Sequence, residues 1–303
     1  MLGLNLFIVG MEKCGTTSLA DWLVSNRIAT YLVPGMKEPY AYASQHFLPP
    51  PVRPGEVLLD ASTGYALNPE TLKRMPEHNT KIILCVRNYF ERCFSAYTFY
   101  RTTVRRDETS VALLNSIPDH LELSRADKHT SPEDFLYEHF FKIYKVHAPV
   151  KSAAAIRNYY ELQARNVLEQ SFAERVRYEI GFFLSRRQLP FFSVLSSSFL
   201  THPLKNLLAK YRPEDIYLVS MNQLNDPARR RALVEELTGS APDNLSALQS
   251  LNATRSNAKS EFDKPELADL KYYFSADFES FMELLGQHGL STRYVDLDDL
   301  RPA

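Results

Sequence analysis

Hydrophobic and polar positions along the chain alternate between two periods. Leu4-Asn5-Leu6-Phe7-Ile8-Val9 is short, mostly apolar and closed by a glycine, the pattern of a buried strand. Residues 16–26 then place Leu19, Trp22 and Leu23 at helical spacing. The chain therefore opens strand, glycine loop, helix. Glu56–Asp60 predicts a second strand, and Lys81–Val86 a third whose near-continuous apolar run suits a parallel strand buried on both faces. Asp215–Ser220 predicts a fourth strand, and Arg229–Leu237 and Pro265–Leu285 predict helices. Strands alternating with helices imply a parallel sheet with helices on both faces.

The middle of the chain reads differently. Phe135–Phe199 holds 14 of the 36 aromatic residues. Ile156, Tyr160, Val167, Val176, Ile180 and Leu184 suggest one long amphipathic helix there. This is a helical layer with an aromatic-rich core, and such a layer can also wall a substrate pocket. Pro49-Pro50-Pro51 with Pro54 marks a stiff surface loop.

Composition narrows the class. The 303 residues are 45% hydrophobic and 23% charged, ordinary values for a globular chain that buries a large core. One large α/β domain fits the length as well as two of about 150 residues. No apolar run approaches a membrane span, and no basic segment precedes Leu4 as in a signal peptide. Lys and Arg number 35 against 36 Asp and Glu, which gives no reason to expect a nucleic-acid partner. Cys14, Cys85 and Cys93 are odd in number and lack CxxC spacing, which argues against a disulfide frame or a zinc site. Reduced thiols suit a cytoplasmic protein.

The chemistry concentrates in Gly10-Met11-Glu12-Lys13-Cys14-Gly15-Thr16-Thr17-Ser18, which follows a strand and starts a helix. N–H groups at a helix N-terminus form an anion site, and glycine admits close approach. The GxxxxG frame is that of a nucleotide P-loop, but Thr16 and Thr17 stand where an ATP-binding loop has Lys and then Ser or Thr, and the only lysine, Lys13, lies inside the loop. Lys37-Glu38-Pro39 follows the first helix, Asp60–Tyr65 ends the second strand, and Arg87–Tyr97 ends the third and opens a helix. In parallel α/β folds, ligands sit at the carboxyl ends of strands, and these landmarks fall there or just beyond.

Together these segments resemble the sulfotransferases that use 3′-phosphoadenosine 5′-phosphosulfate, in particular the bacterial and Golgi-type carbohydrate sulfotransferases. Lys13–Leu19 resembles the loop that binds the 5′-phosphosulfate, and Arg87–Tyr97 the 3′-phosphate segment, with Arg87 and Ser95 at the matching positions. Lys37-Glu38-Pro39 resembles the KEP segment. Ser198 with Leu204, then Ile216–Pro227, resembles the later helix and strand, and Asn252–Arg255 the loop that closes over the nucleotide. The resemblance is thin between about residues 105 and 195.

The resemblance implies a single three-layer α/β/α domain over residues 1–303, P-loop-like, with a central parallel sheet and an acceptor-side helical insertion at about 105–195. It implies transfer of a sulfuryl group from that donor, without a metal, to a hydroxyl or, less readily, an amine of a carbohydrate or small-molecule acceptor. Lys13 would stabilise the leaving group. Cys14, Gly15, Thr16, Thr17 and Ser18 would hold the 5′ side, Arg87 and Ser95 the 3′-phosphate, and Arg255 with Lys259 would close over it. Glu38 is the first candidate for the base that takes the acceptor's proton, with His46 and Asp60 in reserve.

Three departures bear on this reading. Gln223 fills a place that many members give to an acid, and Ala61 a place that heparan-type members give to lysine. The Lys-Thr-His segment of the cytosolic small-molecule members is absent. The rival readings are a P-loop kinase of nucleotides or small molecules and a non-catalytic relative that kept the nucleotide site. Residues 101–200 carry 14 Lys and Arg against 12 Asp and Glu, weak support for a polyanionic acceptor.

Overall fold

The computed structural model describes residues 3–43, 47–106, 153–186, 190, 192–249, 261–262 and 264–302. They fall into two compact units. The first comprises 3–43, 47–92, 197–249 and 271–302; the second comprises 93–106, 153–186, 190, 192–196, 261–262 and 264–270.

The first unit is built on β1 (Leu4–Gly10), β2 (Thr30–Tyr31), β3 (Val57–Asp60), β4 (Thr80–Cys85) and β5 (Ile216–Val219). They form one sheet in the order β2-β3-β1-β4-β5, every pairing parallel. Leu6, Ile8 and Val9 of β1 and Ile82, Ile83 and Leu84 of β4 are fully buried. Each such side chain contributes roughly 1.5–3 kcal/mol over an exposed one. The period-2 alternation of a half-solvated strand is missing because both sheet faces are covered. The fold is thus the expected α/β architecture, a central parallel sheet flanked by helices.

β1 is the middle strand, and the chain passes from β3 on one side of it to β4 on the other. That reversal makes the carboxyl ends of β1 and β4 the switch point, the place where doubly wound sheets bind ligands. The loop from Gly10 to Gly15 starts there. It leads into α1 (Thr16–Ser25), whose Leu19, Trp22 and Leu23 are buried as their spacing predicts.

The remaining helices are α2 (Pro69–Arg74), α3 (Tyr89–Arg106), α4 (Ala153–Glu169), α5 (Phe172–Arg186), α6 (Thr201–Leu208), α7 (Pro227–Thr238), α8 (Ala268–His288) and α9 (Leu297–Leu300). Within the first unit the start of α3 is fixed from three directions. Asn88 Oδ1 caps it, accepting from the N–H groups of Phe90 and Glu91 at 3.0 and 3.2 Å. Tyr89 donates to Asp277 Oδ2 at 2.8 Å, and Phe90 packs edge-on against Phe274. None of the described helices is long and apolar enough to cross a membrane.

Several expectations need adjustment. The single long amphipathic helix is two helices, α4 and α5, broken at Gln170-Ser171. Ser171 and Glu174 form a reciprocal capping box: Ser171 N–H donates to Glu174 Oε2 at 2.8 Å, and Glu174 N–H to Ser171 Oγ at 3.3 Å. The Ser-x-x-Glu signal lies in the sequence but is masked by apolar spacing that continues through the break. Val167 and Val176 are buried as expected, whereas Leu184 is exposed. The helix expected from Pro265 begins as a 3-10 turn, Pro265–Leu267, and becomes α-helical at Ala268. Asp215, expected at the head of the fourth strand, ends the 3-10 turn Pro213–Asp215. The two-residue β2 and the six-residue α2 were not anticipated.

The second unit has an aromatic core as the composition suggests. Phe94, Phe172 and Phe262 lie with ring centroids 5.2–6.2 Å apart, and Tyr97 meets Phe172 edge-on at 5.5 Å. Arg175 and Glu179 form a fully buried pair 2.7 Å apart. Glu179 also accepts from Ser193 Oγ and from the N–H groups of Val194 and Leu195. Those donors satisfy a carboxylate that would otherwise be costly to bury.

Candidate functional site

The loop between β1 and α1 is curled by left-handed backbone at Lys13 (φ 66°) and Gly15 (φ 86°). Gly15 is required twice over. A side chain there would be strained, and its Cβ would lie 2.1 Å from Met221 Cγ, in the turn that follows β5. Gly15 is also the N-cap of α1, so no side chain caps the helix, and the first turn carries no acidic residue. The first turn of an α-helix leaves N–H groups without intrahelical acceptors, and its dipole favours an anion.

Basic side chains gather around this helix end. Burial lowers the pKa of Lys13, and Arg92, Arg87 and Lys37 lower it further by repulsion, against the opposing pull of Glu12. Such crowding of like charge favours a bound anion. Lys37 Nζ lies 3.3 Å from Thr16 Oγ1, at the head of α1, and is salt-bridged to Glu38 Oε1. Arg87, just before the cap of α3, pairs with Glu91 at 3.0 Å and stays partly exposed.

Arg92 is the residue that sequence reasoning passed over. It is buried and clamps the loop from below. Its Nε donates to the Glu12 carbonyl at 2.9 Å, its Nη1 to Ser198 Oγ at 2.8 Å, and its Nη2 lies 3.6 Å from Glu12 Oε2. The signal was available: Arg92 falls on the buried stripe of α3 with Tyr89, Cys93 and Ala96, where an arginine must have buried partners.

Glu38 sits on a strap, residues 37–43, tied to the end of β3. Ala61 N–H donates to the Lys37 carbonyl at 3.0 Å, Tyr40 N–H to Ser62 Oγ at 3.0 Å, and Tyr42 N–H to Tyr65 Oη at 3.2 Å. Asp60 anchors the other side of these contacts, accepting from Ser62 N–H at 3.0 Å and from Tyr65 Oη at 2.8 Å. Tyr40 Oη donates to Glu38 Oε2 at 2.9 Å. Glu38 is therefore held at one oxygen by an ammonium and at the other by a phenol, and remains partly exposed. Burial lifts the Asp60 carboxyl to about 6, against the lowering effect of its hydrogen bonds. With its oxygens turned to Ser62 and Tyr65, Asp60 orients the strap.

The structure thus brings Lys13, Gly15, Thr16, Thr17, Ser18, Glu38 and Arg87 together at the carboxyl end of the sheet in the first unit. Thr16 and Ser18 are buried. Cys14 is also buried: its N–H donates to the Met11 carbonyl at 3.2 Å, and burial pushes its thiol up to about 11. Ser95 is buried on α3 and belongs to the second unit. His46, Arg255 and Lys259 lie outside the described residues.

No family model matches the chain, and no curated protein matches it in sequence. Among solved structures, the chain is similar to the crystal structure of a sulfotransferase from Alicyclobacillus acidocaldarius, at 17% identity and a TM-score of 0.55. The match covers 94% of this chain and 97% of that one. At that identity the likeness establishes the fold.

Proposed function

We propose that the protein is a sulfotransferase that moves the sulfuryl group of 3′-phosphoadenosine 5′-phosphosulfate to a hydroxyl of a carbohydrate or small-molecule acceptor. The observation that carries this reading is that Arg92, Arg87 and Lys37 all bear on Lys13 beside the N-terminus of α1, whose first turn carries no acidic residue. The fold likeness to a sulfotransferase supports it. The donor set fits the ligand: a dianionic nucleotide end needs several cations and backbone N–H groups, and the loop offers both.

In this reading α1 receives the 5′ end through its first-turn N–H groups and the hydroxyls of Thr16, Thr17 and Ser18. Arg87 offers its guanidinium fork to the 3′-phosphate. Ser95, Arg255 and Lys259 are further candidates for the nucleotide, while the buried Cys14 serves the packing of the loop. The acceptor oxygen attacks sulfur, its proton passes to Glu38, and the bond from sulfur to the bridging oxygen of the nucleotide breaks. Lys13 meets the charge that collects on that oxygen. A sulfuryl group carries less charge than a terminal phosphoryl group, so ammonium groups suffice where a kinase needs magnesium. Tyr40 and the Asp60–Ser62–Tyr65 cluster hold the strap that presents Glu38.

The test is the release of 3′,5′-adenosine bisphosphate from the donor across a panel of hydroxyl and amine acceptors. Glu38→Gln should lower turnover by about 10²-fold or more without loss of nucleotide affinity. Near-normal turnover in that variant removes Glu38 from the role of base. Turnover with ATP and magnesium instead of the sulfated donor overturns the reading in favour of a kinase.

A further inference from the structure

Lys37 occupies a position that neither the loop motif nor the candidate base accounts for. Its ammonium stands between two groups with different tasks. On one side, 3.3 Å away, is the hydroxyl of Thr16, the first residue of α1. On the other is Oε1 of Glu38. Its backbone is fixed, because its carbonyl accepts from Ala61 N–H at the end of β3. Only the side chain can redistribute between these two neighbours. Glu38 keeps a second partner, Tyr40 Oη at 2.9 Å on its other oxygen, and so stays oriented if the ammonium shifts.

We propose that Lys37 is a donor-contacting residue whose single positive charge is shared between the nucleotide's 5′ anion and the Glu38 carboxylate, so that donor binding loosens Glu38 for the acceptor's proton. The proposal rests on the donor reading given above. An anion seated at the head of α1 meets Lys37 at Thr16 and competes with Glu38 for it. Linkage makes the effect reciprocal: the factor by which Glu38 weakens donor binding equals the factor by which the donor weakens the Lys37–Glu38 bridge. The donor then does two things at one residue. It gains a cation, and it turns Glu38 from an ion-pair member into a carboxylate available to a proton. Order follows from this: the base is ready only once the donor is in place.

The pair is half-buried, with Lys37 at 17% and Glu38 at 32% side-chain exposure. An ion pair of that exposure supports a coupling of about two- to tenfold. The experiment is calorimetric titration of wild type, Glu38→Gln, Lys37→Met and the double variant with 3′,5′-adenosine bisphosphate. Its readout is affinity and does not depend on turnover. Glu38→Gln, which removes the competing charge, should bind the bisphosphate about two- to tenfold more tightly than wild type. Lys37→Met should bind it about tenfold more weakly, and Lys37→Arg should recover most of the loss. In the Lys37→Met background, Glu38→Gln should change affinity less than about twofold, because the shared cation is gone.

Unchanged or weaker binding by Glu38→Gln overturns the proposal while leaving the donor reading intact, and so does equal tightening with and without Lys37. If wild type fails to bind the bisphosphate at all, the donor reading falls and the proposal falls with it.

Discussion

Replacing Arg92 by methionine keeps most of the side-chain volume and removes the guanidinium. Arg92 is buried, and its hydrogen bonds to the Glu12 carbonyl at 2.9 Å and to Ser198 Oγ at 2.8 Å have a charged donor. Charge-assisted bonds contribute about 1.5–3 kcal/mol each, and breaking a fully buried ion pair costs about 3–5 kcal/mol. Glu12 is 25% exposed and can turn its carboxylate to water, which reduces the penalty. Methionine also no longer requires a buried charge. The net expectation is a loss of about 2–4 kcal/mol, a fall of roughly 3–6 °C in the unfolding midpoint for a chain of this size. Because Lys13 follows Glu12, the loop also loses its anchor, and affinity for adenosine bisphosphate should drop about tenfold or more. Thermal unfolding by circular dichroism and calorimetric titration read the two effects. Arg92→Lys keeps the charge but not the fork, so it should recover only part of either. Stability within about 1 kcal/mol of wild type, with affinity within about twofold, would refute the view that Arg92 holds the loop.

Other substitutions probe the site independently. Gly15→Ala should cost about 1–2 kcal/mol for left-handed backbone and a further 1–3 for collision with Met221. Met221→Ala should relieve the second part, giving a coupling of about 1–2 kcal/mol in a denaturation cycle, and additivity would contradict the contact. The Asp60 carboxyl titrates at about 6 in the folded chain against 3.8 ordinarily. A raised carboxyl contributes stability that is present below the lower value and is lost as pH rises through the higher one. The stability of wild type relative to Asp60→Asn should therefore fall by about 3 kcal/mol between about pH 3 and pH 7, and a flat difference would show that Asp60 does not titrate there.

Much of the sheet was legible because buried parallel strands write themselves as apolar runs. β1, β3 and β4 were found nearly to the residue, and so was α1, whose glycine and apolar spacing agree. β2 was not, since two residues have no period. α2 depends on Asn68 accepting from the N–H groups of Glu70 and Thr71, with Pro69 in its first turn, a cap signal too local to stand out from its surroundings. The break between α4 and α5 was hidden for the opposite reason: the apolar spacing carries across Ser171, and only the capping box marks the interruption. At the site, the residues of the anion loop and strap could be named from their segments. What could not be read was which groups meet. Arg92 reaches Glu12 across 80 positions and Ser198 across 106. Likewise, Asp60 was a reserve for the base by its place at a strand end. Its hydrogen bonds to Ser62 and Tyr65, which tie it to the strap, were not legible there.

The most direct test of the central claim is thermal unfolding with 3′,5′-adenosine bisphosphate and, in parallel, with ATP plus magnesium. A ligand at 100 times its dissociation constant stabilises by about 2.7 kcal/mol. The account predicts that the bisphosphate raises the midpoint by about 4 °C and that ATP with magnesium leaves it unchanged. A shift with ATP and magnesium alone would contradict it, making the loop a kinase loop and assigning Lys13, Lys37 and Arg87 to a different anion.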